Sequence, residues 1–215
     1  MKKSRHYIPA MHFHWLTRWY DPVMRGLFPE SEIHANLIAQ AHIQPGQTVL
    51  DTGCGTGTLT LLIKQTHPEA TTHGLDIDPK ILQIAQRKAG QMDQTVHWQQ
   101  GMATCMPYPD QSFDHVFASL LLHHLTRQDK QHMLQEALRV LKPGGKLHVV
   151  DFGAPHDSVM WLISLIVRWF EEIHDHVIGR LPVLIADAGF KRIEEAECYR
   201  TIAGTIAIHH ATKAC

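Results

Sequence analysis

The chain has 215 residues, 44% of them hydrophobic and 19% charged, a composition that fits one globular domain with its own core and excludes a disordered, collagen-like or coiled-coil chain. Lys plus Arg number 20 against 21 Asp plus Glu, so the formal net charge of -1 lacks the basic footprint of a nucleic-acid binder. The cysteines Cys54, Cys105, Cys198 and Cys215 stand apart without C-x-x-C pairing, which argues against a disulfide scaffold or zinc ribbon and suits a reducing, cytoplasmic setting.

In chain order, the positive start Met1 to His6 is followed by no apolar signal core, because Pro9, His12, His14, Thr17 and Arg18 interrupt it. Trp15, Leu16, Trp19, Tyr20 and Val23 recur with roughly helical period. A break near Pro29 precedes a second helix through Ile33, Leu37, Ile38 and Ala41, which Pro45-Gly46 stops. Residues 1–44 thus read as an N-terminal helical cap and residues 45–215 as one further domain. Thr48-Val49-Leu50 predicts a buried strand, a glycine-rich turn follows, and Leu59, Leu62 and Ile63 mark a helix. A second strand ends at Leu75-Asp76, and Pro79 suits the first position of a helix closed by Gly90. Thr95 to Trp98 predicts strand three and His115 to Ser119 strand four. A helix from about Asp129 to Leu141 is ended by Pro143-Gly144-Gly145, and Lys146 to Asp151 predicts strand five.

The tail has a long helical stretch ending near Ala188-Gly189, then Arg192 to Tyr199 and Thr205 to Ala211 at hairpin spacing. The order predicts an α/β, doubly wound, mostly parallel seven-stranded sheet with helices on both faces and an antiparallel C-terminal strand pair. The longest apolar run, Val159 to Phe170, falls short of the ~20 residues of a spanning helix. Its polar stripe is only Ser164, Arg168, Glu171 or Glu172, and Asp175, so this helix must also meet a lid, a subunit or a lipophilic ligand unless it is simply buried beneath the N-terminal cap. The histidines, including His123-His124, His209-His210 and His174-Asp175-His176, follow no metal-ligand spacing and read as scattered surface groups; no metal is expected.

The chemistry concentrates in Val49-Leu50-Asp51-Thr52-Gly53-Cys54-Gly55-Thr56-Gly57, where a doubly wound sheet binds its ligand. Glycines let a ligand approach the backbone at a helix N-terminus. The spacing is G-x-G-x-G, with Thr58 where a dinucleotide fingerprint has its last glycine, and Asp51 would repel a pyrophosphate while welcoming a cation. Asp76, closing strand two about 20 residues on, is placed to accept both hydroxyls of a ribose. Two acids without a phosphate clamp imply a cationic nucleoside, against the rival reading of a nicotinamide-dependent dehydrogenase.

With VLDTGCGTG, GLDIDP, MPYPDQSFDHVFASLLLHHL and RVLKPGGKLHVVDF in order, the chain resembles the class I S-adenosylmethionine-dependent methyltransferases over nearly its whole length. Tyr20-Asp21-Pro22 and the ending AGFKRIEEAECYRTIAGTIAIHHA look most like the ubiquinone/menaquinone C-methyltransferase group. The resemblance implies S-adenosylmethionine as cofactor, with Asp51, Gly53 and Gly55 at its aminocarboxypropyl end, Asp76 on the ribose, Ile77 on the adenine, and Gly57, Tyr20, Met102, Ala103 and Ser119 completing the site. Where relatives often carry an acid reading the adenine amine, this chain has Met102, so that contact passes to backbone near Met102 and Ala103 or to a neighbouring side chain. Asp114 reads as a loop-holding residue. His124, after strand four at the crevice, is the candidate base, with His123 beside it. The expected acceptor is a small, apolar, quinol- or phenol-like molecule. A protein or phospholipid-headgroup acceptor, a non-catalytic cofactor-binding role and peripheral membrane contact through Trp161 and Trp169 remain open alternatives. Trp15, Trp19 and Tyr20 are expected to roof the site together with Val159 to Phe170.

Overall fold

A computed structural model describes residues 30–155, 157–158, 160–161, 179–201 and 204–215. The elements are α1 (Glu30–Ala41), β1 (Thr48–Thr52), α2 (Thr58–Thr66), β2 (Thr71–Asp76), α3 (Pro79–Gln91), β3 (His97–Gln100), β4 (Phe113–Ser119), a 3-10 turn (Leu122–His124), α4 (Arg127–Val140), β5 (Leu141–Phe152), α5 (Leu181–Asp187), β6 (Lys191–Thr201) and β7 (Gly204–Thr212). The sheet has seven strands in the order β3-β2-β1-β4-β5-β7-β6. β1 to β5 run parallel, while β7 is antiparallel to both β5 and β6. The expected fold class is therefore the observed one.

Strand residues alternate between two cores, as the period of two in a pleated sheet dictates. Leu50, Val116, Leu147, Val149 and Ala211 pack with α4 and α5 through Met133, Leu134, Ala137, Leu184 and Ile185. Val49, Phe117, Val150, Ile206 and Ile208 pack on the other face with α1 and α2 through Ile33, Leu37, Ile38, Leu59 and Ile63.

Local chemistry sets the helix ends. Asp78 accepts the Lys80 N–H as N-cap with Pro79 in the first turn, and Thr126 does the same for Asp129 in α4. Of the boundaries that differ from the sequence reading, three have a local cause. Gly90 lies inside α3, which runs one residue further and turns at Met92 by bonds to Lys88, Ala89 and Gly90 carbonyls. Strand three is His97–Gln100, because its register is set by pairing His73 to Asp76 of β2 against it. Leu141 already pairs with Phe113, so β5 begins before the Pro143-Gly144-Gly145 turn. The aromatic N-terminal stretch, and the apolar run apart from Met160 and Trp161, lie outside the described residues.

Candidate active site

Strand order reverses between β1 and β4, so the crevice of this sheet opens at the carboxyl ends of those strands, above the turn that joins β1 to α2. Gly53, Gly55 and Gly57 all have positive φ, at 67°, 53° and 78°. Their surroundings differ. A Cβ on Gly53 would lie 2.6 Å from Leu121, and one on Gly57 would lie 2.7 Å from the Trp98 ring, whereas one on Gly55 meets nothing within 4 Å. Gly53 and Gly57 are therefore both packing glycines on the side a Cβ would take, while Gly55 borders the open space into which a ligand fits.

Two carboxylates flank that space. Asp51 is 1% exposed and accepts the Thr60 hydroxyl at 2.5 Å. Burial pushes its pKa up to about 7 against the pull of that bond, and the charge of Asp76 adds to the rise. Asp76 accepts the backbone N–H of Gly55 and of Asp78, both at 2.9 Å, so it stiffens the turn whose open side it borders. Burial raises its pKa, with the Asp78 and Gly55 N–H bonds opposing the rise. Each oxygen keeps acceptor capacity beyond its one backbone bond, enough for a pair of vicinal hydroxyls. An open glycine turn between a buried carboxylate and a rim carboxylate fits a nucleoside with a cationic side arm. The Cys54 thiol, held well above its usual pKa by burial and by both acids, is not a nucleophile here.

At the far side of Asp76, Ile77 accepts the Gln100 amide at 3.2 Å, and Gly101 N–H reaches the Asp76 carbonyl at 2.9 Å. Met102 then begins a tight turn closed by the Cys105 N–H, with its side chain 46% exposed, while Ala103 packs against the α4 core. Tyr20 lies outside the described residues. The Ser119 hydroxyl bonds the buried His34 ring of α1 at 2.9 Å, and burial lowers the His34 pKa to about 4, so this ring is neutral. Asp114 accepts the Thr48 N–H and Lys142, both at 2.8 Å, the loop-holding role its position predicts.

Beyond Ser119 the backbone enters the left-handed region at Leu120 (φ 51°), which brings Leu121 over Gly53 and starts the 3-10 turn. That turn carries the histidine pair, and the structure distinguishes its members. His123, 6% exposed, places Nδ1 at 2.9 Å from Asp151, whose carboxylate also accepts the N–H groups of Leu122, His123 and Phe152. His124 is the more exposed ring and lies 3.9 Å, centroid to centroid, from His123. Loss of solvent against that neighbour, then the neighbour's charge, lower the His124 pKa to about 4. Asp151 escaped the sequence reading of the site although a signal existed, since it ends a buried strand as Asp51 and Asp76 do. The reading of His123 and His209 as surface groups is corrected, while His124 is exposed. His123 is buried by its bond to Asp151, and His209 is buried by the inward side of a strand enclosed between β5 and β6. Among the described residues no cluster of His, Cys, Asp or Glu has the arrangement of a metal site.

A methyltransferase-domain family model matches residues 49–145, the stretch from β1 into β5. The chain is 29% identical over 209 residues to a demethylmenaquinone methyltransferase of Symbiobacterium thermophilum, covering 84% of this chain and 81% of that one. It is 32% identical over 170 residues to the ubiquinone/menaquinone biosynthesis C-methyltransferase of Escherichia coli, covering 78% of this chain and 62% of the relative. In fold it is similar to the magnesium protoporphyrin IX methyltransferase from Synechocystis with bound S-adenosylhomocysteine, with a TM-score of 0.67 at 21% identity, over 85% of this chain and 81% of that one.

Proposed function

Since the chain belongs to the class I S-adenosylmethionine-dependent methyltransferases, we propose that it transfers a methyl group to a small lipophilic acceptor of the quinol or phenol type. The observation that carries the acceptor class is the similarity to demethylmenaquinone methyltransferases across 84% of the chain. Bound S-adenosylmethionine supplies an electrophilic methyl on a sulfonium. Gly55 opens the space for its amino-acid arm beside the Gly53 backbone, Asp51 lies buried behind that cationic end, and Asp76 takes the ribose hydroxyls. Ile77, Met102 and Ala103 border the adenine, with Gln100 the nearest polar side chain at that edge. Gly57 contributes through packing, and Ser119 through its bond to His34.

Methyl transfer is an in-line displacement, so the protein chiefly holds donor and acceptor collinear and dry. A ring carbon or hydroxyl that gains a methyl must lose a proton. The 3-10 turn offers the acceptor for it: His123, oriented by Asp151, with the His124 ring tilted against it. α1 is tied to the sheet through the bond of His34 to Ser119. No helix among the described residues is long and apolar enough to cross a membrane.

The test uses the whole chain with radiolabelled S-adenosylmethionine and a panel of quinols, simple phenols, phospholipids and a protein extract, with liposome flotation in parallel. Label in extractable quinol or phenol products is expected. Label confined to phospholipid or protein, or to small polar acceptors, replaces the proposed acceptor.

A further inference from the structure

On the α1 face of the sheet, far from the glycine turn in sequence, three histidines from three adjacent strands form one hydrogen-bonded row. His115 of β4 places Nδ1 at 2.9 Å from Nε2 of His148 in β5, and His148 places Nδ1 at 2.8 Å from Nδ1 of His210 in β7. Each end of the row meets an amide oxygen. His115 Nε2 lies 2.9 Å from Gln47 Oε1, and His210 Nε2 lies 2.9 Å from Gln40 Oε1 of α1. All six ring nitrogens are used, and turning any ring over would put carbons where its nitrogens make these bonds, so the bonds fix each ring's orientation.

The two amides are fixed by their other partners. Gln47 Oε1 also accepts the Gln44 backbone N–H at 2.7 Å, and a backbone N–H can only donate, so an oxygen must stand there. Gln40 Nε2 donates to the Glu197 carboxylate at 3.0 Å, which leaves its oxygen for His210. Protons can then be counted. Each of the four links needs one, and because both ends are acceptors, all four must reside on the imidazoles. Three neutral imidazoles carry three.

We propose that His115, His148 and His210 form a buried proton-binding site that holds one extra proton in common at neutral pH, clamping α1 and its following loop to β4, β5 and β7. With only three protons, one link would set two lone pairs against each other at hydrogen-bond distance inside the protein. Such an unmade buried bond costs more than an ordinary one returns.

The charges facing the row come from every element around it: Lys146 of β5, His42 after α1, His67 after α2, Asp114 of β4, Glu194 and Glu197 of β6, and His209 of β7. Burial lowers the pKa of His115 to about 4, and it lowers those of His148 and His210 as well, with Lys146 and the neighbouring rings adding to the effect. These influences bar a second charge. Against them, the row's own bond count demands the first, so the proton belongs to the set and not to any one ring.

The inference is independent of the methyl acceptor. It is tested on the whole chain labelled with 15N-histidine, by long-range proton–nitrogen correlation across pH. Four ring protons on the three residues are expected at neutral pH, and one is lost in a single step felt by all three as pH rises. The folded state then binds a proton that the unfolded chain, with ordinary histidines, has already released, so the thermal midpoint falls across that same step. Gln47→Met removes one acceptor and one link, so the row becomes neutral and the step disappears. Gln47→Glu places a carboxylate at the end and moves the step up by about one pH unit or more. Three ring protons at neutral pH, separate titrations of the three residues, or a fourth proton persisting in Gln47→Met would each overturn the proposal. The wild-type spectrum decides even if a variant fails to fold.

Discussion

Asp51 and Asp76 have the same chemistry and opposite circumstances. Asp76 is tied to two backbone N–H groups and borders open space, whereas Asp51 is sealed and holds one hydroxyl. S-Adenosylhomocysteine at ~100 times its dissociation constant should stabilise the chain by about 2.7 kcal/mol, and Asp76→Ala should remove most of that shift in a thermal-shift titration. For Asp51 the sign runs the other way. Its folded pKa of about 7 lies above the ordinary carboxylate value, so between those values the folded chain holds a proton the unfolded chain has lost, and cofactor-free stability falls as pH rises. Asp51→Asn should therefore raise the cofactor-free melting temperature at pH 8 by at least about 2 °C, while weakening S-adenosylmethionine, whose cation favours the ionised acid. At the base, His123→Gln should lower turnover by about 10² or more with the cofactor dissociation constant unchanged. His124→Gln should cost less, because the Asp151 bond belongs to His123. Equal losses in the two variants would show that the pair acts through packing.

At the scale of elements, the glycine turn separates binding from folding. Gly55→Ala puts a methyl into open space at the cost of a left-handed alanine, about 1 kcal/mol, so a folded chain with weakened cofactor binding is expected. Gly57→Ala drives a Cβ into Trp98 and adds the same backbone strain, and should cost about 3 kcal/mol or more, visible as a lower denaturation midpoint with or without ligand. The turn was legible in the sequence because positive-φ positions write themselves as glycine, and Pro79 and the alternating Val49-Leu50 were legible for equally local reasons. The division of labour between Gly55 and Gly57 was not, since it depends on Trp98, which comes from a strand two places away in the sheet. The His34 bond to Ser119 and the row of His115, His148 and His210 were hidden likewise. Their partners lie 85, 33 and 62 residues apart, and only the sheet register makes them neighbours. The pairing of His123 with Asp151, 28 residues on, was hidden for the same reason. Gly90 misled in the other direction, as a helix tolerates an interior glycine for about 1 kcal/mol.

For the molecule as a whole, α1 is held at several places to a sheet whose strands come from distant parts of the chain. His34 reaches β4, Asn36 donates to Tyr199 of β6 at 2.6 Å, and Gln40 reaches both Glu197 and His210. His34→Ala should therefore cost only about 1 kcal/mol of stability by chemical denaturation, the loss of one anchor among several. The antiparallel end of the sheet has a different consequence, one that concerns synthesis. Among the described strands β7 is last in chain order yet lies inside the sheet, and it is the only one to which β6 is paired. On the ribosome β6 must therefore emerge with no partner, and β5 must keep one edge bare, until the final strand has left the exit tunnel. A nascent chain stalled before Gly204 should then be cut readily by protease within β6 and bind chaperones that recognise exposed strands, while the β1 to β4 half, complete long before, already resists digestion.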